Sequence, residues 1–277
     1  MSDPRPIGVF DSGVGGLSVL REIRALLPAE DLLYCADSGH APYGEKPQHL
    51  IAARSLELSG FLLEQGAKAL VIACNTATAA AAQAIRAQWP DVPVIGMEPA
   101  VKPATAATRN GVVGVLATTG TLESARFAAL LDQFGKGVKV LTRPGTGLVE
   151  AVERGEQGSV RLFSLLKAHL EPLLAGGADV VVLGCTHYVF LREQVEAIVG
   201  PSVQVIDTGA AVATQVQRKL QGREWLASPS RVGCEQFWAS GELSAVERTM
   251  RLLWPGFSGG KVLPASDCMS SFTEKSS

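Results

Sequence analysis

The sequence predicts an α/β fold built from two pseudo-symmetric parallel-sheet domains with a cleft between them. Three observations carry this reading. Short β-branched apolar runs alternate with helical patterns along the chain, the arrangement that gives parallel sheets covered on both faces. One strand–loop–helix plan occurs twice at a near-constant offset. The 277 residues leave room for two modest domains, each with its own core.

The strand candidates are Ile7–Phe10, Leu32–Cys35, Ala69–Ala73, Val92–Ile95, Val112–Leu116, Val138–Leu141, Val180–Leu183 and Val203–Ile206. Helical patterns fall at Gly16–Leu27, Gln48–Gln65, Ala77–Gln88, Leu122–Phe134, Leu148–Glu156, Ser159–Ala175, Leu191–Val199 and Ala210–Leu220. Ile7–Gly16 (IGVFDSGVGG) runs from a strand into a small-residue loop and a helix, and Val112–Ser124 (VVGVLATTGTLES) repeats that plan 105 positions on. Ala69–Thr78 (ALVIACNTAT) and Asp179–Tyr188 (DVVVLGCTHY) each read as an apolar strand, a small residue, a cysteine and polar residues; their cysteines, Cys74 and Cys185, are 111 positions apart. The junction falls near Gly96–Pro103, where GMEPAVKP interrupts the pattern. Residues 258–277, rich in Ser and Gly, read as a mobile tail. Trp225, Trp238 and Trp254 read as core packing.

Composition excludes several functions. Apolar residues are 47% and charged residues 19% of the chain, which marks a folded globular protein. The 25 basic and 27 acidic residues are interspersed, with no basic run of the kind a nucleic-acid binder uses, so no nucleic-acid partner is expected. No apolar stretch reaches the ~18–20 residues of a membrane span, and MSDPRPIGVFDSG has no signal-peptide pattern. Five sparse cysteines fit a reducing compartment, so a cytosolic protein is expected. No C-x-x-C pair is present, and no metal site is expected.

The four repeated loops all follow strand C-termini, where open parallel sheets bind ligands. Cys74 sits between a buried strand and a helix start, with Asn75 and Thr76 as capping residues, and Cys185 stands in the same position ahead of Thr186 and His187. A thiol at a helix N-terminus is expected to have a lowered pKa. Either cysteine alone also reads as a small buried residue; their equivalence in the repeat is what suggests a pair. Two thiols facing one carbon form a base and an acid for inverting a stereocentre: one removes the α-proton and the other delivers a proton to the opposite face. Asp11 is a candidate to orient or deprotonate Cys74 or to hold a substrate ammonium, and also reads as a turn residue. Glu150 and His187 are candidates to tune Cys185, His187 reading equally as a cap-region imidazole. Ser12, Asn75, Thr118, Thr121 and Thr186 offer donors for carboxylates. Gly13, Gly15 and Gly16 have the spacing G-x-G-G behind an aspartate, which argues against a phosphate loop.

FDSGVGGLSVL (Phe10–Leu20), APYG (Ala41–Gly44), ACNTAT (Ala73–Thr78), EPA (Glu98–Ala100), LVE (Leu148–Glu150) and GCTHY (Gly184–Tyr188), in that order between about Ile7 and Leu220, resemble bacterial glutamate racemases, with a weaker echo at FWASG (Phe237–Gly241). The resemblance implies racemisation of L-glutamate to D-glutamate for peptidoglycan synthesis, without any cofactor, by Cys74 and Cys185. It places substrate binding on Asp11–Ser12, Tyr43–Gly44, Asn75–Thr76 and Thr186–His187. It also implies that the C-terminal segment returns to the first domain, giving residues 1–97 plus 208–257 as one domain and 98–207 as the other, and that the protein is a homodimer. The chain departs from the family pattern at His40, at Ala117 and in the stretch TRPGTGLVE. The long N-terminal extension of activator-regulated members is not seen before Ile7, so control by a peptidoglycan precursor is not expected. Three alternatives stand beside this reading: an aspartate or hydantoin racemase of the same superfamily; a decarboxylase or isomerase of the same fold, although two cysteines suit racemisation better; and, from another class, a protein that inhibits DNA gyrase by binding it, for which no motif is legible.

Overall fold

The computed structural model of the protein describes residues 2–264. Its strands in chain order are β1 (Ile7–Asp11), β2 (Leu32–Ala36), β3 (Ala69–Ile72), β4 (Val94–Ile95), β5 (Val112–Ala117), β6 (Lys139–Pro144), β7 (Val180–Gly184), β8 (Gln204–Ile206), β9 (Glu235–Ala239) and β10 (Lys261–Val262). The α-helices are α1 (Leu17–Leu26), α2 (Gln48–Glu64), α3 (Asn75–Gln88), α4 (Val101–Ala107), α5 (Thr119–Leu122), α6 (Ala125–Phe134), α7 (Leu148–Glu153), α8 (Val160–Ala175), α9 (Arg192–Val199), α10 (Gly209–Gln221) and α11 (Leu243–Leu253).

Two all-parallel sheets result, in the orders β10-β9-β2-β1-β3-β4 and β6-β5-β7-β8. The run β2-β1-β3-β4 has the same order as β6-β5-β7-β8, so the second sheet repeats the centre of the first. The central strands IGVFD, LLYCA, ALVI and VVVLG are buried at every residue, because helices cover both faces. β6 lies at an edge and is partly exposed along its length.

Register sets where the strands end. Asp11 pairs with Ala36 and Phe10 with Ile72, so Asp11, Asp37 and Cys74 emerge on one rim. Ala117 pairs with both Pro144 and Gly184, so Thr118, Gly145 and Cys185 emerge together on the rim of the other sheet.

The chain's end adds to the first sheet. β9 pairs with β2 from Leu32↔Glu235 to Ala36↔Ala239, and α10 packs on α1 through Val212, Ala213, Val216 and Leu220. The expected tail differs in its first part: Lys261–Val262 pairs with Trp238–Ala239, Leu263 N–H donates to Ala239 O at 2.8 Å, and Leu263 is buried. Residues 265–277 of that segment lie outside the described residues. The helix expected over Leu122–Phe134 is divided at Ser124, whose hydroxyl caps α6 by accepting from Phe127 N–H. The expected junction near Gly96–Pro103 carries the start of α4. One apolar cluster runs through both domains, from Ile7, Leu17 and Leu20 to Leu148, Leu183 and Tyr188. Trp238 and Trp254 are buried, and Trp225 packs partly buried on this cluster.

Candidate active site

Between the two rims lies a narrow recess. Ser12, Tyr43, Gly44, Cys74, Asn75 and Thr76 line it from the first domain; Thr118, Thr121, Cys185, Thr186 and His187 line it from the second. All eleven were singled out from the sequence. Pro42, Val149 and Gly184 complete the wall and carry no polar side chain that would have marked them.

Cys74 is the N-cap of α3, and its Sγ accepts from Ala77 N–H at 3.4 Å. Its thiol reaches Ser12 Oγ at 3.8 Å, and Ser12 Oγ–H reaches Asp11 Oδ1 at 3.4 Å. Asp11 does not line the recess; it is wholly buried beneath it, with Oδ2 accepting from Gly16 N–H at 2.7 Å. Burial holds the Asp11 carboxyl above the ordinary carboxylate range. The thiol of Cys74 departs from the expectation. Burial, then the negative charge of Asp11, pushes it well up, and the helix-start N–H contact lowers it by less. Cys74 therefore carries its proton at rest.

The other thiol stands beside a cation. Cys185 Sγ lies 3.8 Å from His187 Nδ1, and His187 Nε2 lies 2.6 Å from Glu153 Oε1. Asp11 Oδ2 is 3.9 Å from the same Nδ1. Burial alone would lower the imidazole; hydrogen bonds with Cys185 and Glu153, and the charge of Asp11, outweigh it and hold His187 well above the ordinary histidine value. Glu150, expected beside Cys185, is placed elsewhere. It lines an adjoining recess with Gly145, Thr146 and Tyr188, while Glu153, one turn further along α7, turns toward His187. Glu153 also accepts from Val14 N–H at 2.7 Å and Ser38 Oγ–H at 2.8 Å, tying the second domain's helix to two loops of the first.

These contacts account for two of the three glycines after Asp11. A side chain on Gly13 would overlap the Glu153 carboxylate, and one on Gly15 would overlap the His187 ring. The loop is bare because two charged side chains of the other domain press on it.

Three threonines join across the cleft: Thr76 Oγ1 lies 2.9 Å from Thr118 Oγ1 and 3.2 Å from Thr121 Oγ1, which are themselves 2.9 Å apart. Among the described residues neither amide atom of Asn75 has a partner, although the residue is 5% exposed. A buried amide ordinarily pairs both atoms, so this side chain offers a donor and an acceptor to a polar ligand. Among the described residues no group of three His, Cys, Asp or Glu side chains is placed to hold a metal ion.

Comparison with known proteins gives the family. Residues 7–216 match the family model described as Asp/Glu/Hydantoin racemase. A glutamate racemase of Ectopseudomonas mendocina is 58% identical over 249 residues, covering 90% of this chain and 94% of that protein. Among solved structures, glutamate racemase of Escherichia coli in complex with L-glutamate and activator UDP-MurNAc-ala superposes with a TM-score of 0.83 at 33% identity, over 94% of this chain and 98% of that one. Glutamate racemase of Francisella tularensis in complex with D-glutamate gives a TM-score of 0.80 at 27% identity, over 95% and 98%. The chain belongs to the glutamate racemases of the Asp/Glu/Hydantoin racemase family.

Proposed function

We propose that this chain interconverts L- and D-glutamate by a two-thiol mechanism that needs no cofactor, and that it supplies D-glutamate for peptidoglycan. The observation that carries the mechanism is the placement of Cys74 and Cys185 on opposite rims of one recess. Glutamate, rather than aspartate or a hydantoin, is supported by the relatives, which are named for it, and by neighbours solved with each of its enantiomers.

In this reading one thiolate takes the α-proton from one face of Cα, and the opposing thiol gives its proton to the other face. The thiol and thiolate exchange places in each turnover, so the form left behind acts on the product enantiomer. Cys74, kept protonated by burial and Asp11, is the donor at rest. His187 Nδ1 lies 3.8 Å from Cys185 Sγ and orients that thiol as the opposing acid–base group. The negative charge that develops at the substrate carboxylate falls among fixed donors, with Asn75, Thr76, Thr118, Thr121 and Thr186 on the wall.

The reading extends to residence in the cytoplasm. Cys35, Cys74, Cys185 and Cys234 are free thiols, and no described helix is long and apolar enough to cross a membrane.

The test follows optical rotation of L- or D-glutamate with purified protein and no added cofactor, beside aspartate. Both glutamate enantiomers are expected to reach the racemate; turnover of aspartate alone would move the chain to the alternative substrate, and turnover of neither would end the racemase reading. Cys74→Ser and Cys185→Ser are each expected to lower kcat by about 10³-fold or more. Normal rates in both variants would remove the two-thiol mechanism. For the cellular role, depletion of the protein is expected to make growth depend on added D-glutamate.

A further inference from the structure

One buried ion pair beside the recess has no part in the proton chemistry. Asp37 follows β2 on the rim of the first sheet and is fully buried. Arg54, from α2, grips its carboxylate with two bonds, Nε–H to Oδ2 at 3.0 Å and Nη2–H to Oδ1 at 2.8 Å. Ser240, at the end of β9, donates to Oδ1 at 2.7 Å, and His40 Nδ1 lies 3.1 Å from it. The fourth partner is the one that matters: Tyr43 Oη–H donates to Asp37 Oδ2 at 2.6 Å.

That bond fixes how Tyr43 can serve the site. Tyr43 is 2% exposed, and its hydroxyl is directed into Asp37. What it can offer the recess is its backbone and ring, in the turn Tyr43–Glu45. The same turn meets the second domain at close range. A side chain on Gly44 would collide with Thr118, and one on Gly120 would come within 3.0 Å of Gly44 O. The position of Tyr43–Gly44 therefore sets the width of the recess on this side, and Asp37 sets the position of Tyr43.

We infer that Asp37 and Arg54 form a positioning unit for substrate binding, which holds the Tyr43–Gly44 wall in register with Thr118 through the Tyr43 hydroxyl. The inference rests on the racemase reading, because it assigns the wall to glutamate. Neither thiol hydrogen-bonds to this wall. It holds the substrate equally before and during reaction, and loss of such uniform binding appears in KM rather than kcat.

The experiment measures kcat and KM for D- and L-glutamate in Asp37→Asn, Tyr43→Phe, the double variant and the milder Ser240→Ala. Loss of a charge-assisted bond is expected to raise KM about ten-fold in Asp37→Asn and Tyr43→Phe, with kcat changed by less than about three-fold. The double variant is expected to be no worse than the poorer single one, since both substitutions weaken the same Tyr43–Asp37 bond. Ser240→Ala, which leaves the Arg54 and Tyr43 bonds in place, is expected to raise KM by a smaller factor, about two- to five-fold.

Glu30→Gln is the matched control. The Lys68–Glu30 pair is more fully buried than Arg54–Asp37, at the opposite end of the same sheet, with Lys68 Nζ 2.6 Å from Glu30 Oε2. This control is expected to lose thermal stability and keep its KM. Unchanged KM in both Asp37→Asn and Tyr43→Phe, a loss confined to kcat, or an equal KM rise in Glu30→Gln would overturn the inference. Unaltered protein that fails to turn over glutamate would overturn the racemase reading as well, so the two failures are told apart by that first assay.

Discussion

Replacing Glu153 by Gln keeps its shape and removes its charge. Its Oε1 accepts from His187 at 2.6 Å and from Val14 N–H at 2.7 Å, and the amide oxygen of glutamine can still accept there. What changes is the strength of the His187 bond. A hydrogen bond to a charged group contributes ~1.5–3 kcal/mol and a neutral one ~0.5–1.5, so the imidazolium loses about 1–1.5 kcal/mol of support. At 1.36 kcal/mol per pKa unit, that lowers the His187 pKa by about one unit.

The sign follows from linkage. A histidine held above its unfolded value of ~6.5 contributes stability that is full below that value and is lost as pH rises through the raised one. The alkaline limb of kcat/KM, where the imidazolium beside Cys185 loses its proton, should move to lower pH in Glu153→Gln by about one unit. The same variant should lose less stability than the unaltered protein between neutral and alkaline pH. The assay is a pH–rate profile of both proteins, with stability followed by urea unfolding at each pH. An alkaline limb that stays in place would show that Glu153 does not govern the charge on His187.

Two further outcomes follow from the same structure. Gly15→Ala puts a methyl group into the His187 ring, so racemisation is expected to fall more than about ten-fold while far-UV circular dichroism remains that of the folded protein; near-normal activity would show that ring and loop are not locked together. The Asp37 carboxyl is held well below the usual carboxylate range: its burial is outweighed by bonds from His40, Arg54 and Tyr43. That stability is present above the unfolded value of ~3.9 and is lost as pH falls toward the depressed one, so Asp37→Asn should show a shallower acid loss of stability below about pH 4; equal slopes in urea titrations would refute it.

Much of this architecture is legible in the sequence because its signals are local. The runs in β1, β2, β3 and β7 are apolar at nearly every residue, which only a sheet covered on both faces requires. Cys74 and Cys185 are marked by position, each one or two residues past a buried strand in a repeated plan. What escapes is what depends on distant partners. β9 (EQFWA) is short and half polar at its start, and its pairing strand β2 lies some two hundred residues earlier. α11 does carry a helical apolar spacing, at Val246, Met250 and Leu253, but that face acquires meaning only once the returning chain brings the helix against α7. The stretch LVEAVE holds two glutamates one turn apart, and local pattern cannot say which one meets His187; the packing of α7 against the Gly13–Gly15 loop selects Glu153. The direction of the Cys74 shift also needed the fold, since a helix start favours the thiolate and only burial beside Asp11 reverses it. Asp37, a lone aspartate after a strand, carries no local mark of its partners Arg54, Tyr43 and Ser240, which come from distant parts of the chain.

The central claim is that two different thiols serve the two faces of Cα. Racemisation in heavy water, stopped at low conversion and started from each unlabelled enantiomer in turn, tests it most directly. With one base on each side, product formed in either direction should carry deuterium at Cα while the remaining substrate stays unlabelled. Product that retains the substrate's own proton, or substrate that gains deuterium before it is inverted, would mean a single base serves both faces and would contradict the account.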